Sequence, residues 1–201
     1  MALYKVEDCD QFPIEEVHNL YRKYVSSSQV GAISAFGFGR DLVDYAEGMR
    51  FHLRNGDEIL DFTGGFGVLN HGHNHPRILK VRKEFQESKR LEVHKSFFSP
   101  YLAALSHNIA QLLPGDLNVS YLPNSGGESV EGALKMAYKY HDGKRRFVLH
   151  SDISFHGKLL GCGSVTGSRE TPYDFQKIPD VETFCYNDLE SVQEQISKLR
   201  N

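Results

Sequence analysis

An α/β fold, with a mainly parallel sheet flanked by helices, is predicted by three observations. Residues 119–150 read as strand, helix and strand within about 30 residues, the length of a βαβ unit, which implies parallel pairing and a right-handed crossover. Two earlier segments open on a proline after a capping residue, at Pro76 and Pro100, and carry apolar residues at helical spacing. Between them and the N-terminus, Asn55-Gly56 separates two short runs in the manner of a hairpin.

Taken in order, residues 13–25 place Ile14, Val17, Tyr21 and Tyr24 on one helical face, and Ser26-Ser27-Ser28 is expected to end that helix. A loop spaced by Gly31, Gly37 and Gly39 follows. Residues 49–53 and 58–62 are the hairpin strands, with Asn55 and Gly56 supplying two positive φ angles. Residues 74–76 open a helix whose buried stripe is Ile78, Val81 and Phe85; Lys80, Arg82, Lys83, Lys89 and Arg90 form a solvated face. Ser99-Pro100 opens a helix carrying Leu102, Leu105, Ile109 and Leu112, which Pro114-Gly115 stops. Residues 119–122 are a strand, 128–141 a helix with Val130, Ala133, Leu134 and Ala137 on one side, and 146–150 the next strand. A last helix, 187–199, brings the chain to its end so abruptly that the sequence reads as cut there. Two regions are expected: an N-terminal α+β segment, 1–75, and the first part of a larger domain, 76–201, truncated at its end.

Composition narrows the function classes. With 23 Lys plus Arg against 26 Asp plus Glu and a net charge of −3, the chain lacks the basic excess of a nucleic-acid binder. Forty per cent hydrophobic residues and a mean hydropathy of −0.43 suit a globular chain with a core. No run approaches the ~20 apolar residues of a membrane span, and the N-terminus lacks a signal-peptide pattern, so a cytoplasmic protein is expected. Cys9, Cys162 and Cys185 are odd in number and widely spaced, against a disulfide framework or a thiolate zinc site.

Three places carry chemistry. Ser125-Gly126-Gly127-Glu128 is a capping box: the Ser125 hydroxyl takes the Glu128 N–H, and the Glu128 carboxylate reaches the Ser125 N–H. Its two glycines cost helix stability yet bare N–H groups at the positive helix end, so phosphate binding and plain capping both fit. Neither GxxxxGK[ST] nor GxGxxG occurs there, which leaves a smaller phosphorylated cofactor. His71, His73 and His75 alternate, but Gly72 and Pro76 make the run a turn into a helix and no carboxylate or thiolate lies at ligand spacing, so no metal site is assigned. Phe155 and His156 follow a strand end, where α/β proteins place ligands; an aromatic ring and an imidazole there can bracket a planar group, although a core Phe155 and a surface His156 fit as well.

The stretch Asn124-Ser125-Gly126-Gly127-Glu128-Ser129-Val130-Glu131-Gly132-Ala133-Leu134-Lys135-Met136-Ala137 closely resembles the N-S-G-[TSA]-E-A-[VN]-E-x-A-x-[KR]-x-A segment of class III (ornithine/ω-type) aminotransferases, pyridoxal-5′-phosphate (PLP) enzymes of fold type I. Three further pieces agree in order: Asp61-Phe62-Thr63-Gly64-Gly65-Phe66-Gly67-Val68 with Asn70-His71-Gly72-His73-Asn74-His75-Pro76; Leu112-Leu113-Pro114; and Phe155-His156-Gly157-Lys158.

The resemblance implies a fold-type-I architecture, seen as the N-terminal segment and first half of the large domain, with PLP as cofactor. Gly126 and Gly127 match the loop whose N–H groups hold the cofactor phosphate, and Ser125 matches the serine that leads it. Phe155 matches the aromatic residue that stacks on the pyridine ring, with His156 beside it. Gly64 and Gly65 look like the segment near the substrate, and the histidine run like a structural loop. Gly127 departs from the Thr or Ser usual at its position, and Lys158-Leu159 stands where Arg-Thr is frequent.

The implied activity is transfer of an amino group from an amine or amino acid to a 2-oxo acid, by a homodimer that engages neither nucleic acid nor membrane. The cofactor-bearing lysine and the aspartate facing the ring nitrogen are expected beyond residue 201, since neither Lys158 nor Lys177 matches the lysine position; no catalytic residue is assigned within the chain. A fold-type-I aminomutase, a decarboxylating transaminase, and a non-catalytic truncated protein that binds phosphate or a partner stay open.

Overall fold

The computed structural model describes residues 3–92, 96–167 and 175–200. The chain folds as two compact units, Met1–Ser96 and Phe97–Asn201.

The first unit starts with α1 (Val6–Cys9) and α2 (Ile14–Tyr24), the latter entered through Pro13. The serine run does not simply end α2. The Ser26 hydroxyl accepts from the Gln29 N–H at 3.3 Å and caps a new helix, α3 (Ser27–Ala35), so Gly31 is helical and not in a loop. A serine cluster serves equally as a terminator or an N-cap; here the packing of α2 on α3, with Val30 buried, selects the second.

β1 (Val43–Glu47), β2 (Arg50–Leu53) and β3 (Glu58–Leu60) form an antiparallel sheet in that order. The expected hairpin is β2–β3; β1 is an addition, joined with a register shift between Val43 and Tyr45. The turn differs from expectation, because only Gly56 takes a positive φ (92°). Asn55 contributes through its side chain, whose Oδ1 accepts from the Asp57 N–H at 2.9 Å, while Gly56 N–H donates to the Leu53 carbonyl at 3.0 Å.

After α4 (Gly64–Gly67), a single irregular turn with Gly65 and Phe66 at φ of 62° and 61°, the histidine run returns to the sheet. His73 and Gly48 exchange backbone bonds of 2.7 and 2.9 Å, and Asn74 Nδ2 donates to the Ala46 carbonyl at 2.7 Å. Gly72 (φ 77°) has to be glycine, since a Cβ would stand 2.7 Å from the Gly48 carbonyl oxygen. α5 (Pro76–Glu87) then starts at its proline as expected.

The second unit contains α6 (Pro100–Leu112), α7 (Gly126–Tyr140), β4 (Val148–Ser151), α8 (Leu160–Ser164), β5 (Val181–Phe184) and α9 (Leu189–Arg200). Ser99 caps α6 by accepting from the Leu102 N–H at 3.2 Å. The strand expected over 119–122 forms no ladder among the described residues. Parallel pairing is present one element later: β4 pairs with β5 from Val148↔Val181 to Ser151↔Phe184. Residues 119–122 have strand-like composition, but a strand exists only through a partner's backbone groups, and composition does not name the partner.

Burial concentrates around α8, where Cys162 and Ser164 are wholly enclosed, with Val165, Thr166 and His150 beside them. The helix stripes are less covered than their periodicity predicts: Ile78 and Val81 on α5, and Leu102 and Leu105 on α6, are exposed. Phe62, Phe66, Phe98, Leu112 and Val119 are likewise exposed, so much apolar surface faces outward.

Asp61 organises the first unit. Its side chain, 3% exposed, accepts through Oδ1 from the Thr63 hydroxyl (2.7 Å), the Thr63 N–H (2.8 Å) and the Gly64 N–H (3.0 Å), and through Oδ2 from His73 Nε2 (2.8 Å). A carboxylate only accepts, so Nε2 carries the proton. The Thr63 hydroxyl foremost, then His73, hold Asp61 well below the usual carboxylate range, against burial that pushes the other way. A carboxylate depressed on folding stabilises the fold above its unfolded value, and this is lost as pH falls toward the folded one. Asp61→Asn is therefore expected to lower the melting temperature at pH 7, with a deficit that shrinks below about pH 4, where unfolded aspartate titrates. Melting curves from pH 7 to pH 2 check this; a deficit constant over that range would refute it.

Candidate functional site

Ser125, with φ −151°, caps α7, and its hydroxyl accepts from the Glu128 N–H at 3.1 Å. The reciprocal half of the expected box is shifted by one residue: Glu128 Oε2 accepts from the Asn124 N–H at 2.6 Å, not from that of Ser125. As a result the N–H groups of Ser125, Gly126 and Gly127 have no partner among the described residues. Three consecutive free donors thus sit at the positive end of a 15-residue helix, and a Cβ on Gly126 would meet nothing within 4 Å. This is the local arrangement that holds an anion.

The opposite wall comes from the loop at the carboxyl end of β4. Ser154 and Gly167 exchange two backbone bonds of 3.1 Å, which pins the loop's start to the chain leaving α8. Thr166 Oγ1 accepts from the His156 N–H at 3.0 Å. Held in this way, Phe155 is 68% exposed, a ring presented to the outside and not a core residue. Ser125, Gly126, Gly127, Phe155 and His156, all singled out from sequence, line one open cleft of about 540 Å³ with Val130, Gly157, Lys158 and Leu159.

His150 is buried in β4, and its tautomer follows from its partners. Nδ1 lies 2.9 Å from the Ser151 carbonyl, which only accepts, so Nδ1 carries the proton and Nε2 accepts from the Thr183 hydroxyl at 3.2 Å. Burial foremost pushes His150 below the ordinary imidazole range, against its hydrogen bond to the Ser151 carbonyl, and the charge of Lys177 adds to the lowering. His150 is a neutral hydrogen-bonding core residue.

Gly64 lines a cavity of about 650 Å³ made by first-unit residues that include Asp61, Thr63 and His71; Gly65 is not among its lining residues. Of the histidine run, His73 is engaged by Asp61 and His75 stands at the N-cap of α5. The carboxylate missing at nearby sequence spacing thus arrives from 12 residues upstream and takes a single imidazole. Among the described residues, no three His, Cys, Asp or Glu side chains are grouped to hold a metal ion, and no helix is long and apolar enough to cross a membrane. Sequence reasoning missed Glu131, Cys162 and Thr166, which support the cleft walls. The signal available for Glu131 was its spacing on α7, one turn after the free donors.

The family model for class-III aminotransferases matches residues 40–200. The acetylornithine aminotransferase of Clostridium acetobutylicum is 31% identical over 159 residues, covering 77% of this chain and 40% of that protein. The putrescine aminotransferase of Pectobacterium atrosepticum is 33% identical over 148 residues, 72% of this chain and 31% of that protein. In three dimensions the chain is similar to a transaminase from the marine bacterium Virgibacillus (TM-score 0.77, 18% identity, 92% of this chain and 45% of that one). It is likewise similar to the ornithine aminotransferase of Toxoplasma gondii (TM-score 0.74, 21% identity, 95% of this chain and 44% of that one). At these identities the structural likeness shows the fold, which is that of the fold-type-I transaminases. The chain spans less than half the length of the relatives it matches. The ordered motifs, the helix-terminal donors and a family model extending over most of the sequence agree that this chain belongs to the class-III aminotransferases.

Proposed function

We propose that the cleft between α7 and the loop after β4 binds the phosphate and ring of PLP, as part of an aminotransferase that moves an amino group from an amine or amino acid to a 2-oxo acid. The observation that carries this is the row of free N–H groups at Ser125, Gly126 and Gly127, opening on the cleft that Phe155 and His156 also line. The donors suit a phosphate by charge and by space, since nothing occupies the position a Gly126 side chain would fill. The Phe155 ring offers a flat apolar face to a pyridine, and His156 flanks it. PLP, when bound, supplies the electron sink that lets a substrate amine lose its α-proton. The residues of this chain bind and orient; none is assigned a proton-transfer role.

The relatives named for acetylornithine and putrescine favour a donor with a primary amine. A homodimer in the cytoplasm completes the proposal. Exposed apolar side chains such as Leu102, Leu105 and Leu112 on α6 suit a covered face, and three unpaired cysteines suit a reducing compartment.

Binding of pyridoxamine 5′-phosphate, which carries ring and phosphate but does not condense with lysines, tests the cleft by fluorescence titration. Phe155→Ala is expected to weaken it about two- to tenfold, the equivalent of ~0.5–1.5 kcal/mol of stacking, without unfolding the chain. Unchanged affinity would remove Phe155 from the site. Gly127→Ser restores a hydroxyl at the first turn, where a Cβ would rest in ordinary contact with Cys162 Sγ (3.5 Å) and Leu159 (3.6 Å). It should tighten pyridoxamine 5′-phosphate about threefold or more and leave phosphate-free pyridoxamine unaffected, as one added hydrogen bond to a charged group predicts. Equal effects on both ligands would place the phosphate elsewhere.

A further inference from the structure

We propose that Glu131 is a positioning residue for this cleft: by capping α8 it holds the 155–157 loop against Gly127, and so sets the spacing between the helix-terminal donors and Phe155. The inference rests on the cofactor reading above, and Glu131 itself is not among the cleft's lining residues.

Glu131 lies one turn along α7 from the free donors. Its Oε1 accepts from the Cys162 N–H at 2.8 Å, a donor in the first turn of α8 that has no carbonyl of its own helix to reach. Gly161 makes room for that carboxylate, since a Cβ there would stand 2.7 Å from Oε2 and 2.8 Å from Oε1. The bond thus places Cys162 directly behind the phosphate end of the cleft.

Cys162, with no exposed surface, is the spacer. Its Sγ accepts from the Leu159 N–H at 3.2 Å, and a Cβ on Gly157 would lie 2.7 Å from the same sulfur and 2.9 Å from Gly127 Cα. Gly157 is therefore wedged between Cys162 and the first turn of α7. Thr166 closes the circuit. Its Oγ1 accepts from the His156 N–H and lies 3.1 Å from the Gly157 carbonyl and 3.0 Å from the Cys162 carbonyl, to one of which it donates. The path runs from α7 through Glu131 and Cys162 to Gly157 and His156. Removing the carboxylate leaves a buried N–H unsatisfied and frees α8 to draw away from α7.

The test uses the chain with pyridoxamine 5′-phosphate as probe, and with thiol-reagent titration of the native protein. Cys9 and Cys185 are exposed and Cys162 is buried, so two thiols react readily. Glu131→Ala is expected to weaken the probe about tenfold and to make a third thiol reactive, as loss of a charged hydrogen bond predicts. Glu131→Gln keeps an oxygen acceptor for the Cys162 N–H and should stay within about threefold of the parent, with the third thiol protected. Gly161→Ala pushes the carboxylate off without removing its charge; it should reproduce Glu131→Ala, and the double variant should be no weaker than Glu131→Ala alone. If Glu131→Ala does not fold, Gly161→Ala carries the same comparison. A folded Glu131→Ala or Gly161→Ala protein with parental affinity overturns the proposal even if Cys162 opens, and leaves the cofactor reading standing. A parent chain that does not bind the probe overturns both.

Discussion

A Cβ on Gly157 would stand 2.9 Å from Gly127 Cα and 2.7 Å from Cys162 Sγ, so here two backbones meet with no side chain between them. Gly157, at φ 122°, also takes a conformation that other residues rarely adopt. This contact brings the loop after β4 up to the first turn of α7 and gives the cleft its two walls. The free N–H groups of residues 125–127 belong to one side of it, Phe155 and His156 to the other. A bulkier residue at 157 would separate the walls whatever the chemistry of either. The surrounding hydrogen bonds serve to keep the approach: Thr166 on the His156 N–H, Ser154 paired with Gly167, and Glu131 on the Cys162 N–H.

The first unit is organised by a charge where the second is organised by a close approach. The Asp61 carboxylate gathers the Thr63 hydroxyl, two backbone N–H groups and one imidazole, and so shapes the glycine turn after it and anchors the histidine run. A buried carboxylate with four donors is compensated in a way that an isolated one is not. In the histidine run, the backbone of His73 pairs with Gly48 while its ring binds Asp61, and His75 stands at the N-cap of α5.

What was legible in the sequence followed the range of the interactions. The starts of α5, α6 and α7 could be read because a proline or a capping serine acts within three or four residues. Ser125 as a cap belongs here, and only the reach of Glu128 to Asn124 in place of Ser125 was misplaced. α3 was missed because a serine run fits a helix end and a helix start alike. The strand expected over 119–122 was wrong because residue preference speaks for extended chain and not for a ladder. Among the site residues, Gly126 and Gly127 could be argued from the helix dipole alone. Phe155 and His156 needed the resemblance to the class-III family, since by themselves they read equally well as core and surface.

By itself the sequence determined the α/β class, the starts of the helices at Pro76, Pro100 and Ser125, and membership in a family whose motifs stand in order along it. These rest on short-range geometry and on residue identity. The tertiary structure decided that β4 pairs with β5, that the Asp61 carboxylate takes His73, and that residues 125–127 face Phe155 and His156 across one cleft. It also brought Glu131 onto Cys162, 31 residues away. Each of these joins positions whose separation along the chain carries no periodic signal, so only the path of the folded backbone could bring them together.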